Sequence, residues 1–294
     1  MQTSPTLNWQ KSLKPKPIEE FLDYYFYRRV AGLIVPVFIR LRVSPNQITT
    51  LSLIFGLIAS WMVFHQNFIW SGVFALWAIF FDCCDGQVAR LTNQKSPLGR
   101  AMDGLFDTIW VTTLWLGIYF SGYFQSQGVS ILPLMVVASL SMIVHCFRFD
   151  AAKIKYLELA DPANLEGDLD FSEAMDFLRD RTRRFHFFEA IIALVMVAQM
   201  YLFVRGSEKK QVYSLSATQR EEIRNLLSPE INRWSYLGEG HHNTLVILGV
   251  LLAPMGYWGL VVAFVMIAVP MNLWWLICEW RTRNRLNAVR ESLK

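Results

Sequence analysis

The sequence predicts an all-α polytopic membrane protein: six transmembrane helices, with seven as the alternative, and an N-terminal interfacial amphipathic helix. Three observations predict it. The 294 residues are 53% hydrophobic and 14% aromatic but only 18% charged, where soluble domains average about 25% charged. Apolar stretches recur at the roughly 20-residue length that a hydrocarbon core about 30 Å thick requires. Lysines and arginines gather at alternate ends of those stretches. The same composition excludes a disordered chain, a collagen and a disulfide-rich scaffold. Cys83 and Cys84 are adjacent, and Cys146 and Cys278 lie in apolar runs, so neither a disulfide framework nor a zinc site is expected.

The N-terminus, Met1 to Pro17, is polar and carries no apolar core behind its lysines; it does not read as a cleaved signal peptide. Glu19 to Leu41 is aromatic and apolar on one side and interrupted by Asp23, Arg28 and Arg29, the pattern of a helix lying along the bilayer surface. Residues 1–43 therefore read as a cytoplasmic segment with its interfacial helix, and 44–294 as the transmembrane domain. The expected spans are Gln47–His65, Ile69–Phe81 continuing into a polar end, Leu105–Phe124, Val129–Phe147 and Phe185–Val204. The tract Asn243–Trp280 is too long for one straight span. Pro254 to Gly259 interrupts it, so it is either two short helices or one span with a broken start. Glu158–Arg184 and Ser207–Gly240 read as polar loops with some helical character.

Charge sets the expected orientation. The links His65–Ile69 and Phe124–Val129 carry no Lys or Arg. The opposite ends hold Arg28, Arg29, Arg40 and Arg42, then Arg90, Lys95 and Arg100, then Arg148, Lys153 and Lys155. By the positive-inside rule these ends and the N-terminus face the cytoplasm. Arg281, Arg283, Arg285 and Arg290 place the C-terminus there too, which requires an even number of crossings, and six is the count adopted.

Against this background four aspartates stand out: Asp82, Asp85, Asp103 and Asp107, within 26 residues. A charged side chain at the centre of a membrane helix costs about 2.5–3.5 kcal/mol even on the mildest scale. Asp82 and Asp85 are spaced i, i+3 and Asp103 and Asp107 i, i+4, so each pair shares a helix face. Antiparallel neighbours joined by a short link bring the two faces together. Converging carboxylates repel unless cations sit among them, and hard oxygen ligands favour Mg²⁺, Mn²⁺ or Ca²⁺ over zinc. Gly86 lets a ligand approach the backbone, Ala89 keeps the same face low, and Gly99 makes room one turn before Asp103. Arg90 offers a guanidinium fork suited to phosphate oxygens. Metal, arginine and small residues together describe a diphosphate site.

The run Asp82-Cys83-Cys84-Asp85-Gly86-Gln87-Val88-Ala89-Arg90, eight residues, Gly99, three residues, Asp103, three residues, Asp107 resembles the complete signature of the CDP-alcohol phosphotransferases. All eight defining positions are present at the expected spacing. Upstream, Ser44-Pro45-Asn46-Gln47-Ile48-Thr49 is similar to the start of that family's first span. The resemblance extends over roughly Glu19 to Asp150. It implies six transmembrane helices, an interfacial helix, a homodimer, and a cytoplasm-facing site open to the membrane. It implies two divalent metals, Mg²⁺ or Mn²⁺, that bind the diphosphate of a CDP-linked lipid or headgroup donor. An alcohol or lipid acceptor attacks the phosphorus distal to cytidine, and CMP leaves. Asp82, Asp85 and Asp103 would be metal ligands, and Asp107 the general base, close to or on the second metal. Gly86, Ala89, Arg90, Gly99, Asn46 and Thr49 would line the nucleotide and diphosphate pocket. No nucleic-acid partner is expected.

Arg148, Lys153 and Lys155 would hold an acceptor phosphate, although a positive-inside anchor explains them equally well; Arg179, Arg181, Arg183 and Arg184 carry the same ambiguity. Gly238-Glu239-Gly240-His241-His242-Asn243-Thr244 offers a glutamate and two histidines for a metal or headgroup but reads rather as a glycine-flanked helix start capped by Asn243 or Thr244; beside the aspartates it would select the acceptor, yet the six-span topology puts it on the opposite side. His145 reads as interfacial packing, and Trp110, Trp115, Trp274 and Trp275 as membrane belts. Three other functions compete. One is a choline- or ethanolamine-type phosphotransferase using a CDP-headgroup and diacylglycerol. A membrane prenyltransferase would need a second Asp-rich motif, for which Asp176-x-x-x-Asp180 is the only candidate. A divalent-cation transporter is disfavoured by Arg90 and by aspartates at the span ends rather than the midplane.

Overall fold

The computed structural model describes residues 12–13, 16–94, 96–162, 171–184, 187, 189–194, 197 and 215–292. Among them every regular element is helical. A π-helical turn, Asp23–Tyr27, runs into α1 (Arg28–Arg40). Then come α2 (Pro45–Phe64), α3 (Phe68–Leu91), α4 (Pro97–Phe120), α5 (Leu132–Ala160), α6 (Phe171–Arg183), α7 (Ala217–Trp234), α8 (Glu239–Leu252), α9 (Trp258–Ala268) and α10 (Pro270–Ser292). The expected span Phe185–Val204 lies largely outside the described residues.

Local chemistry starts these helices where the sequence suggests. Ser44 opens α2 with a reciprocal capping box: its Oγ accepts from the Gln47 amide, while the Gln47 side chain accepts from the Ser44 N–H. Pro45 occupies the first turn, where its missing N–H costs nothing. Ser96 opens α4 in the same way, accepting from the Gly99 amide at 2.9 Å. Among the described residues four helices are long and apolar enough to cross a bilayer: Pro45–Phe64, Phe68–Leu91, Leu132–Ala160 and Trp258–Asn287. Their outward faces carry Trp61, Trp70, Leu140 and Trp258, all exposed.

One long core joins α1, α2, α3, α4, α8 and α9 through Val35, Ile48, Ala59, Ala78, Trp110, Ile118, Ile247 and Phe264. A smaller one joins the C-terminal half of α5 to α7 and α10 through Tyr156, Leu159, Leu227, Ile231, Trp234 and Cys278. Glu230 of α7 is buried there beside Arg233 at 2.8 Å and Arg281 at 3.1 Å.

The tract Asn243–Trp280 is a hairpin. At its hinge Gly256 has φ +131°, and α8 and α9 pack so closely that a Cβ on Gly249 would lie 3.0 Å from the Gly259 carbonyl. Tyr123, beyond the end of α4, donates to the carbonyl of Ala253 at 2.6 Å. The hinge therefore sits with the far ends of α2 and α4, and α8 begins at the aspartate end. This corrects the placement of Gly238–Thr244, which the expected six-span topology, with Phe185–Val204 as its fifth span, put on the opposite side. At the aspartate end Glu20 accepts from the amides of Glu239 at 3.2 Å and Gly240 at 2.8 Å. Thr244 bonds Tyr27 at 2.7 Å.

Three smaller expectations also change. Gly238 begins α8 with no side-chain cap, so Asn243 and Thr244 stand inside the helix instead of capping it. His145 is fully buried rather than interfacial; its Nδ1 meets His242 Nε2 at 3.0 Å, and His242 donates from Nδ1 to the Gly238 carbonyl at 2.7 Å. Trp110 and Trp115 are 2% and 8% exposed. They are core residues and not a membrane belt, because α4 packs along α2 instead of facing lipid with that side.

Candidate active site

Polar residues at one end of three packed helices form the site. Asp82 and Asp85 come from the last turns of α3, Asp103 and Asp107 from the first turns of α4, and Thr49 and Asn46 from the first turn of α2. One carboxylate oxygen from each of Asp82, Asp85 and Asp103 lies within 4.8 Å of the other two. Ligand oxygens held 2.0–2.6 Å from one hard cation are at most about 4–5 Å apart. The donor set is all-oxygen, triply anionic and concentrated at one point. It fits a divalent hard cation.

Asp85 is 6% exposed, and Thr49 holds it: the Thr49 hydroxyl donates to Asp85 Oδ2 at 2.5 Å and also faces the Pro45 carbonyl at 3.1 Å. Thr49 thus supports a carboxylate, a role its place in the motif did not reveal. Gly99 lets the Asn46 and Ser96 side chains come close. A Cβ there would come within 2.9 Å of Asn46 Oδ1 and 3.0 Å of Ser96 Oγ.

Arg90 folds back over Gly86, where a Cβ would lie 3.3 Å from Nη1 and 3.5 Å from Nη2. Its Nε donates to the carbonyl of Ser12. Its Nη2 is buried and has no hydrogen-bond partner among the described residues. A buried guanidinium nitrogen with no partner among the described residues can take an anion such as a phosphate oxygen.

Asp107 stands one turn beyond Asp103. Its Oδ1 accepts a hydrogen bond from the Trp110 indole at 3.1 Å. Glu239, which the expected topology kept on the far side, stands at this end because of the hairpin, which leaves no local trace in the sequence. It lies close enough to Asp82, Asp103 and Asp107 for the charges to interact, and its Oε1 accepts from Asn243 at 3.2 Å. Behind it, burial and then the charge of Asp23 push the Glu20 carboxyl well above the usual carboxylate range.

The basic residues expected to receive an acceptor phosphate are each engaged with an acid. Arg148 pairs with Glu279, Lys153 with Asp150 at 2.5 Å, and Lys155 with Glu158 at 3.2 Å. Arg148 and Lys155 also line a cavity of about 450 Å³ between α5, α7 and α10.

Helices long and apolar enough to cross a bilayer, with an acidic cluster and an arginine at one end of the bundle, are the features of a membrane enzyme acting on phosphate groups. The sequence profile of the CDP-alcohol phosphatidyltransferases matches residues 42–209, more than half of the chain, and the protein belongs to that family of transferases. Over 82 residues it is 32% identical to archaetidylinositol phosphate synthase of Pyrococcus horikoshii, covering 28% of this chain and 44% of that one. Over 107 residues it is 26% identical to phosphatidylinositol phosphate synthase of Cutibacterium acnes, covering 36% of this chain and 51% of that one. A 116-residue stretch, 39% of the chain, is 27% identical to an uncharacterized protein of Aquifex aeolicus and covers 59% of it. The chain spans about half the length of the curated relatives it matches.

Proposed function

We propose that the protein transfers a phosphatidyl group from a CDP-linked lipid such as CDP-diacylglycerol to the hydroxyl of an acceptor alcohol, releasing CMP. The observation that carries this reading is the convergence of one carboxylate oxygen each from Asp82, Asp85 and Asp103 within 4.8 Å, with Arg90 folded over Gly86, the residue after Asp85, and its buried Nη2 unpartnered among the described residues. These three aspartates would hold Mg²⁺ or Mn²⁺, with Asp107 beside a second ion. Bound there, the cation would neutralise the diphosphate and the charge that develops during transfer.

The protein's own groups account for the rest. Arg90 binds a diphosphate oxygen through its open donor. Gly86, Ala89 and Gly99 leave the space that the nucleotide and diphosphate occupy, and Asn46 lines it. Asp107 accepts the proton of the acceptor hydroxyl as that oxygen attacks the phosphorus distal to cytidine. The bond from that phosphorus to the bridging oxygen breaks, and the pair leaves with CMP. Such positioned bases contribute about 10²–10⁴-fold.

Two acceptor classes follow from two observations. The names of the relatives favour a polyol phosphate, with Arg148, Lys153 and Lys155 as its cations. The acid partners of those three, and Glu239 beside Asp107, favour an acceptor without a phosphate. Six crossings, the four apolar helices plus α4 and α8, with the site and both termini toward the cytoplasm, are the topology we adopt, in a homodimer. Membership of a phosphatidyltransferase family supports this reading over the transporter and the prenyltransferase.

The test is purified protein with Mg²⁺ or Mn²⁺, CDP-diacylglycerol, CDP-choline or CDP-ethanolamine, and a panel of phosphorylated and unphosphorylated alcohols, reading CMP release. Turnover with CDP-headgroup donors alone would mean the headgroup-transferring branch. Asp107→Asn should bind donor in calorimetric titration yet fail to transfer. Donor affinity lost in step with activity would make Asp107 chiefly a metal ligand.

A further inference from the structure

Asp107 accepts a hydrogen bond from a residue that the family signature does not contain. Trp110 stands three residues on along α4, 2% exposed, and its indole N–H donates to Asp107 Oδ1 at 3.1 Å. Burial of an indole does not by itself produce such a bond. The Nε1 of Trp115, also buried on α4, has no partner among the described residues. The bond at Trp110 depends on where its ring is held.

The ring is held from two sides. On α2, Gly56 faces it so closely that any Cβ there would overlap the Trp110 Cβ and Cγ. Only glycine lets the indole lie against the α2 backbone. Below it, the Trp110 carbonyl accepts from Thr113 at 2.9 Å and the Gly56 carbonyl from Ser60 at 2.9 Å, and the two hydroxyls, their protons given to those carbonyls, lie 3.0 Å apart. α4 and α2 thus meet at this level, and the indole sits between the two helices with its N–H toward Asp107.

An aspartate on a helix has several rotamers, and only one presents an oxygen to the acceptor hydroxyl. A donor fixed on Oδ1 selects a rotamer and leaves Oδ2 to take the proton. An indole suits this task because it donates only and neither accepts nor releases a proton in the neutral range. We infer that Trp110 is the positioning residue for the general base Asp107, acting through that one hydrogen bond. The inference rests on the reading of Asp107 as base.

Trp110→Phe keeps an aromatic ring between α2 and α4 and deletes the donor. Replacing Trp110 by 3-benzothienylalanine, sulfur in place of N–H, keeps the whole outline and covers the case in which the Phe protein fails to fold. With CMP release as the assay, both should lower kcat by about tenfold or more, the usual cost of losing a residue that orients a reacting group. The donor KM should stay within about twofold, and thermal unfolding in detergent should be close to wild type for the isostere. Wild-type kcat in the isostere overturns the inference. So does a fall in kcat matched by an equal loss of donor affinity, which a merely structural role would produce. Asp107→Asn, measured alongside, separates the two levels. If it turns over normally, the base assignment fails. If it is inactive while the isostere is unimpaired, only the role of Trp110 fails.

Discussion

Thr49→Val tests the centre of the site with almost no change of shape. Valine replaces the hydroxyl with a methyl group, so packing against α3 is retained and two contacts vanish: the 2.5 Å bond to Asp85 Oδ2 and the 3.1 Å contact with the Pro45 carbonyl. Thr49 is 4% exposed and Asp85 6%, so water cannot readily replace the lost donor. A hydrogen bond to a charged group contributes about 1.5–3 kcal/mol. If about 1.4 kcal/mol of that acts through the orientation of the carboxylate, the apparent affinity for Mg²⁺ falls tenfold, the low end of what the partners of metal ligands usually contribute. The assay is CMP release against Mg²⁺ concentration. We expect half-saturation to rise by about tenfold or more, kcat at saturating Mg²⁺ to recover largely, and Thr49→Ser to behave as wild type. An unchanged Mg²⁺ dependence in Thr49→Val would refute the assignment of Asp85 as a ligand held by Thr49.

The remaining predictions concern separate parts of the molecule. Asp82→Asn, Asp85→Asn and Asp103→Asn should each abolish transfer, and a chelator should do the same to the wild type; full turnover in the chelator would contradict the metal site. Gly99→Ala should impair activity more than folding, since its Cβ would displace Asn46 and Ser96; donor KM at wild-type values would show that Asn46 lies outside the pocket. Glu230 gives a pH dependence. Burial raises its carboxyl, but the hydrogen bonds from Arg281 and Arg233 outweigh burial and leave it lowered. A lowered folded value means that its contribution is complete above the unfolded value of about 4.3 and is lost as the pH falls through the folded one. Thermal unfolding of wild type and Glu230→Gln should therefore differ at pH 7 and converge in acid. A constant difference across that range would show that the arginine cluster does not hold the carboxylate.

The bilayer-length helices α2, α3 and α5 and the aspartate signature could be read from the residues alone, because both are local. Hydrophobic length and the cost of charge in a membrane act within one helix, and i, i+3 or i, i+4 spacing puts Asp82 with Asp85 and Asp103 with Asp107 before any packing occurs. The capping box at Ser44 is equally local. What joined these pieces depended on which helix faces meet. The close approach of Gly249 to Gly259 turns Asn243–Trp280 into a hairpin and returns Glu239 to the aspartates. Small residues permit such contacts without specifying their partners. Gly56 likewise became meaningful only opposite Trp110, and Thr49 only opposite Asp85, 36 residues away. The periodicity of a single helix records which side is apolar, but a hydrogen bond between helices depends on the register in which two of them pack, and that register is decided only when the bundle forms.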